Sequence, residues 1–335
     1  MAAERNTTGS DEAGSGARRG ALARLGGVVS SLRRRLSKGS DGKGSADATT
    51  VDAAQPRNLA ATRDEVRDAV EALIGKHLLI GLDVDGTLVD HDGNMTPVLH
   101  EQLQCSARDH EVVIATGRSV HATLPIVQAA GIEHGFAVCS NGAVTLEVRD
   151  GDYEVIDTRA FRPGQALASL RDVAPQAHYA VELVDGSFRA TPGFQDASFG
   201  VQAQESPIDE LLELEAVRVV VHVPDLTPQE FSKIVAKSGV HGVEYAIGWT
   251  AWLDMAAPGV SKASALEEIR KRLSIDERHT LAVGDGFNDT EMLRWAQVGV
   301  AMGQAPQGVK DVADVTTATV WDDGTAMVLR SLDGS

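Results

Sequence analysis

Asp83 and Asp85 stand two residues apart in the run DVDGT at 83–87, directly behind the apolar stretch 77–82. In an extended chain, residues i and i+2 point to the same side. Both carboxylates can therefore face one site at a strand's carboxyl end, where open α/β sheets bind their ligands. Gly86 allows a sharp turn and a close backbone approach, and Thr87 adds a hydroxyl. Two like charges this near each other repel and need a compensating partner, such as a divalent cation. Hard oxygen ligands of this kind suit Mg²⁺.

Other apolar runs also end on polar residues. Thr116 follows 111–115, Asn141 follows 136–139, and Asp285 and Asp289 follow 279–283. In one parallel sheet the carboxyl ends of the strands share an edge, so these groups can converge. Each has a plainer reading when taken singly. Asp289 is placed to cap a helix over 290–296. Lys262 is a lysine at a helix start, a position the macrodipole disfavours for a cation. The plain readings do not account for all of these residues occurring together in this order. His91, Asp92 and Asn94 read as loop-shaping residues and Ser261 as a helix cap. Trp249 and Trp252 read as junction packing, or as a platform for a substrate ring.

The elements that must position these groups alternate. Helix is expected over 61–74, strand over 78–84 and helix from Thr96 to Arg108, with Pro97 at its first position. Strand 111–115, a helix through Ala130 capped by Gly131, and strand 136–139 follow. Strand–helix–strand alternation means a doubly wound parallel sheet with right-handed crossovers. The pattern then changes. Asp150-Gly151 and Asp185-Gly186 mark two hairpins, followed by strand 216–223, helix 227–237 and short strands at 243–247 and 251–255. This α+β module is expected at 158–250, inserted into the larger sheet. The first pattern returns with helix 260–273, strand 279–283, helix 290–296 and strand 298–302. The expected organisation is a tail over 1–58, a discontinuous core over 59–157 plus 251–335, and an inserted cap over 158–250.

Five motifs, DVDGT at 83–87, ATGRS at 115–119, SNGA at 140–143, GVSKASAL at 259–266 and GDGFND at 284–289, with AMGQAP at 301–306, resemble the haloacid dehalogenase superfamily of phosphatases. The likeness is to the Cof-like, type IIB subclass with a large α/β cap, and it spans about 75–333. It implies a Rossmann-like core with an inserted α+β cap and a Mg²⁺ cofactor. It also implies roles. Asp83 would be the nucleophile that becomes an aspartyl-phosphate. Asp85 would act as acid and then base, lending its backbone carbonyl to the metal. Thr116 and the Gly117 amide would bind phosphoryl oxygens, and Lys262 would neutralise charge. Asp285 would ligate the metal, while Asp289 would ligate it or hold its shell. Arg118, Asn141, Gly142 and Asn288 would line the substrate side. A carboxyl group two residues after the nucleophile suits ester hydrolysis, where the leaving alkoxide needs a proton.

Composition bounds the rest. The chain has 335 residues, 43% apolar but only 4% aromatic, so its core must be built from Ala, Val, Leu and Ile. Residues 1–58 hold ten Lys/Arg and six Asp/Glu, so the remainder carries −21 of a net −17. A body this acidic argues against a nucleic-acid footprint, which needs a basic face. Cys105 and Cys139 make neither a disulfide framework nor a metal cluster, and they read as reduced thiols in a cytoplasmic protein. The tail has no aromatic residue and reads as a solvated flexible segment. Its alternative is a basic amphipathic helix over 18–38 making weak contact with a membrane surface. The leading functional expectation is a phosphomonoesterase acting on a small phosphorylated metabolite. The alternatives are a phosphotransferase or mutase on a sugar phosphate, and a membrane-tethered regulatory protein.

Overall fold

The computed structural model describes residues 59–194, 201–224, 226–238, 243–247 and 252–333. The expectations for the tail over 1–58, including its membrane contact, and for Trp249 lie outside the described residues.

In chain order the elements begin with α1 (Leu59–Val70), β1 (Leu79–Leu82), α2 (Pro97–Asp109), β2 (Glu111–Ala115), α3 (Val120–Ala129) and β3 (His134–Cys139). The hairpin β4 (Val144–Arg149) and β5 (Asp152–Thr158) follows, then α4 (Gly164–Val173), β6 (His178–Leu183), β7 (Phe188–Ala190), β8 (Gln204–Glu205) and α5 (Ile208–Leu211). Next come β9 (Ala216–His222), α6 (Pro228–Ser238), β10 (Glu244–Ile247) and β11 (Trp252–Ala256). The chain closes with α7 (Lys262–Leu273), β12 (Thr280–Gly284), α8 (Thr290–Trp295), β13 (Val298–Ala301), α9 (Gln307–Lys310), β14 (Val315–Thr316) and α10 (Gly324–Ser331).

The first sheet has eight strands in the order β14-β13-β12-β1-β2-β3-β4-β5. Its pairings are parallel from β14 to β3 and antiparallel through the β4–β5 hairpin. A parallel sheet buries both faces, so its strands are apolar on both. β1 shows why. Ile80 and Leu82 enter one hydrophobic cluster while Leu79 enters another on the opposite face. β2 divides likewise, Val112 and Ile114 to one cluster, Val113 and Ala115 to the other.

Local signals behave as their chemistry requires. The Thr96 hydroxyl accepts from the Leu99 amide at 3.1 Å and caps α2, a contact worth about 1 kcal/mol. Ser261 caps α7 by accepting from the Ser264 amide. Asp150 and Gly151 both take positive φ at the first hairpin turn.

The second sheet has six strands in the order β10-β11-β9-β6-β7-β8. α4 and α6 pack Leu167, Leu170, Phe231 and Val235 into the same cluster as Val217, Val219 and Val221 of β9. β11 pairs antiparallel with both β9 and β10. The second sheet therefore runs to Ala256, past the boundary expected at 250. Sequence alternation shows a strand at 252–256 but not which sheet it joins, because that depends on a partner distant in sequence.

Candidate active site

β1, β2, β3 and β12 lie side by side and end on the same edge. Asp83 leaves β1 there, is 5% exposed and donates its amide to the Val283 carbonyl of β12 at 3.0 Å. Lys262, at the first position of α7, is fully buried. Its Nζ donates to Asp83 Oδ1 at 2.5 Å and to Asp289 Oδ1 at 2.6 Å. The unfavourable placement at a helix N-terminus is thus offset by two carboxylates.

Asp289 is not the helix cap that its position suggested, as its side chain makes no capping bond to α8. Its Oδ2 instead accepts from the amides of Asp285 and Gly286 at 3.0 and 2.8 Å. Oδ2 of Asp289 thus braces the turn after β12, while Oδ1 ties it to Lys262 on α7.

Asp83, Asp285 and Asp289 each offer an oxygen within 4.8 Å of the others. Burial pushes the Asp83 carboxyl well above the usual carboxylate range, and the nearby Asp289 and Asp285 charges add to this against the pull of Lys262. Burial and Asp289 likewise raise Asp285, to about 7. Lys262 is itself raised, because Asp289 and Asp83 together outweigh the opposing effect of its burial. One ammonium does not balance three buried carboxylates, so hard oxygen donors with unsatisfied charge meet here. That donor set fits Mg²⁺. Gly86 closes the cradle. Its φ is +82°, and a Cβ there would stand 2.2 Å from Asp285 Oδ2. Gln304, which the sequence reading left without a role, donates to the Gly86 carbonyl at 2.5 Å and reaches Asp285 Oδ2 at 3.4 Å.

Asp85 differs from its neighbour, with a side chain that is 60% exposed. Arg118 grips both of its oxygens, Nε at 2.9 Å and Nη2 at 2.5 Å. Arg118 was expected on the substrate side, and the structure ties it to Asp85. Thr116 is buried, and its hydroxyl accepts from the Arg118 amide at 3.1 Å. Asn288 Nδ2 donates to Asn141 Oδ1 at 3.0 Å, joining two expected substrate-side residues. Gly142 packs against the start of α7. Its φ is +103°, and a Cβ there would stand 2.2 Å from the Ser261 carbonyl oxygen at the start of α7. A cleft opens at this edge, lined by Asn141, Asp254, Lys262, Phe287 and Asn288 among others.

Asp92 and Asn94 keep their plain reading, whereas Trp252 packs among residues of the second sheet and not at the junction expected for it. Asp90 accepts from the amides of Asp92 and Asn94, so these residues build a loop. Trp252 packs at ring distances of 5.8 Å from Phe194 and 5.4 Å from His222.

Fold and site together define an α/β enzyme whose buried acidic cluster and lysine share the carboxyl edge of a parallel sheet interrupted by a second sheet. The chain belongs to the haloacid dehalogenase-like hydrolases, whose family pattern matches residues 80–329. Phosphatase YwpJ of Bacillus subtilis (strain 168) is 28% identical over 289 residues, spanning 76% of this chain and 99% of that relative. The solved structure of a subclass IIB sugar phosphatase of the superfamily superposes with a TM-score of 0.64 at 25% identity, over 76% of this chain and 98% of its own. A superfamily phosphatase from Bacteroides thetaiotaomicron gives a TM-score of 0.62 at 26% identity, over 76% and 95%. The Cof-like, capped architecture read from the motifs agrees with these likenesses. Among the described residues no helix is long and apolar enough to cross a membrane.

Proposed function

We propose that this hydrolase is a Mg²⁺-dependent phosphomonoesterase that cleaves a small phosphorylated metabolite through an aspartyl-phosphate on Asp83. The observation that carries the reading is the Asp83–Lys262–Asp289 contact chain, buried beside Asp285 at the end of β1. A likeness to phosphatases, one of them a sugar phosphatase, supports the substrate class.

The steps follow from the residues. The Asp83 carboxylate attacks phosphorus while the ester P–O bond breaks and its electron pair leaves with the alkoxide. Asp85, exposed beside it, gives that oxygen a proton. Water then attacks the aspartyl-phosphate, Asp85 takes its proton, and inorganic phosphate and free Asp83 result. Lys262 offsets the repulsion between a carboxylate nucleophile and a dianionic phosphate. The Thr116 hydroxyl and the Gly117 amide receive phosphoryl oxygens. Asp83 and Asp285, with the backbone carbonyl of Asp85, would hold Mg²⁺, which when bound supplies charge neutralisation at the phosphoryl oxygens. Asp289, the third carboxylate of the cluster, joins them as a ligand or holds the ion's shell through the turn it braces. Asn141 and Asn288 face the rest of the substrate.

Phosphate release from an aryl phosphate, with and without Mg²⁺, tests the reading in wild type and Asp83→Asn. Activity that persists in Asp83→Asn would overturn it. A panel of phosphorylated metabolites, scored for free against transferred phosphate, identifies the substrate and separates hydrolysis from transfer.

A further inference from the structure

Glu182 on β6 and Arg218 on β9 stand opposite each other in the second sheet. They form an ion pair at 3.2 Å, with side chains 2% and 3% exposed. Burying two full charges is costly unless the remaining polar atoms also find partners. Here partners come from loops of the first sheet. The Ser140 hydroxyl donates to Glu182 Oε2 at 2.8 Å, and Arg218 Nη1 donates to the Gly117 carbonyl. Ser140 and Gly117 belong to the turns after β3 and β2. Those turns are bound to each other, Ser140 N to the Arg118 carbonyl at 2.8 Å and Asn141 N to the Thr116 carbonyl at 3.0 Å.

The Gly117 carbonyl and the Arg118 amide are two ends of one planar peptide unit. Arg218 holds the carbonyl and the Thr116 hydroxyl accepts from the amide. Fixing both ends removes the rotation that Gly117 would otherwise permit. It also orients Thr116. A hydroxyl that accepts from an amide keeps its own proton for another acceptor.

We propose that Arg218 is a positioning residue, carried by the inserted sheet, that sets the 116–118 turn to receive the phosphoryl group. The proposal rests on the phosphatase reading and deepens it. A planar guanidinium with five donors can serve a carboxylate and a carbonyl at once, which a lysine cannot do as well. Arg218 also lies 3.6 Å from Asp254, which lines the cleft. One side chain thereby joins the wall of the leaving-group cleft to the phosphoryl turn.

Arg218→Met alone strands the Glu182 charge, so the main test is the full-length double variant Glu182→Gln/Arg218→Met, which keeps the buried region neutral. Single Glu182→Gln leaves Arg218 its bond to the Gly117 carbonyl and a carboxylate, Asp254, 3.6 Å away. Three measurements apply: amide exchange over 116–118, calorimetric binding of inorganic phosphate with Mg²⁺ present, and kcat/KM on an aryl phosphate. The double variant is expected to exchange faster in the turn, bind phosphate at least about tenfold more weakly, and lose about 10- to 100-fold in kcat/KM, the scale of a slightly misplaced group. Glu182→Gln should stay near wild type in all three. Wild-type exchange and phosphate affinity in the folded double variant would overturn the proposal. So would an equal loss in Glu182→Gln, which would mean that the junction merely needs its ion pair. If the double variant does not fold, Arg218→Lys keeps a positive charge against Glu182, and unchanged exchange in that variant overturns the proposal as well. A wild type that neither hydrolyses nor binds phosphate overturns the phosphatase reading instead, while turn exchange still judges Arg218.

Discussion

Lys262 and Asp289 form an ion pair at 2.6 Å in which neither side chain has any solvent exposure. Lys262 also binds Asp83 at 2.5 Å, so a single ammonium links the proposed nucleophile to the residue that braces the turn after β12. Removing one member of a buried pair leaves an uncompensated charge, at a cost of about 3–5 kcal/mol. Lys262→Met should therefore lose that much in urea unfolding, along with phosphatase activity. Lys262→Met/Asp289→Asn should recover part of the stability and none of the activity. Full activity in either variant would contradict the role given to Lys262.

Asp85 makes the opposite prediction. It is an exposed residue paired with Arg118, and exposed pairs contribute up to about 1 kcal/mol. Asp85→Asn should melt close to wild type. Its kcat/KM on an alkyl phosphate should fall about 10²- to 10⁴-fold, the usual worth of a positioned acid–base group. On an aryl phosphate, whose phenolate departs without protonation, the loss should be clearly smaller. Equal losses in kcat/KM, which excludes the water step common to both substrates, would remove Asp85 from protonating the leaving group.

The crowded carboxylates predict a metal response in the folding equilibrium itself. Mg²⁺ at about 100 times its dissociation constant should stabilise the protein by about 2.7 kcal/mol, seen as a raised Tm. Asp285→Asn, which removes one of the three clustered carboxylates, should lose most of that increment. An undiminished shift in Asp285→Asn would place the ion elsewhere.

Glu267 on α7 carries a pH prediction away from the site. Arg270 grips both its oxygens at 2.8 Å and the Trp295 indole donates at 3.0 Å. The Arg270 hydrogen bonds chiefly, with help from Trp295, hold its carboxyl down at about 2, against about 4.3 in an unfolded chain. A lowered acid stabilises the fold above its unfolded value and loses that contribution as pH falls through its folded value. The stability gap between wild type and Glu267→Gln should be full above about pH 5 and shrink steadily toward pH 2. Chemical denaturation at pH 7, 4 and 2.5 measures it, and a constant gap would exclude Glu267 ionisation as its source.

Much of this molecule is legible in local pattern. The parallel strands show as short apolar runs because both faces of the sheet are buried, and the hairpins show as Asp-Gly turns because those residues accept positive φ. Asp83, Thr116 and Asp285 are legible because a strand end is a local feature and the sheet then collects such ends on one edge. Local pattern stops where a side chain has two plausible partners. Asp289 reads as a helix cap or a metal-shell residue, and Arg118 and Gly142 as substrate-side residues, but nothing local shows that Asp289 meets Lys262, that Arg118 meets Asp85 or that Gly142 abuts the start of α7. Each assignment depends on atoms far along the chain.

From sequence alone the chain determines its two strand patterns, the order of its polar strand ends and the acidic chemistry at the end of β1. Those follow from alternation, turn propensity and spacing within a few residues. Tertiary structure alone decides that Lys262 meets Asp83 across 179 residues and that Arg118 meets Asp85 across 33. It also decides that β11 joins the second sheet and that Arg218 reaches Gly117 across 101 residues. Backbone pairing and burial choose among such partners, because a charge leaves water only where its complement is already held.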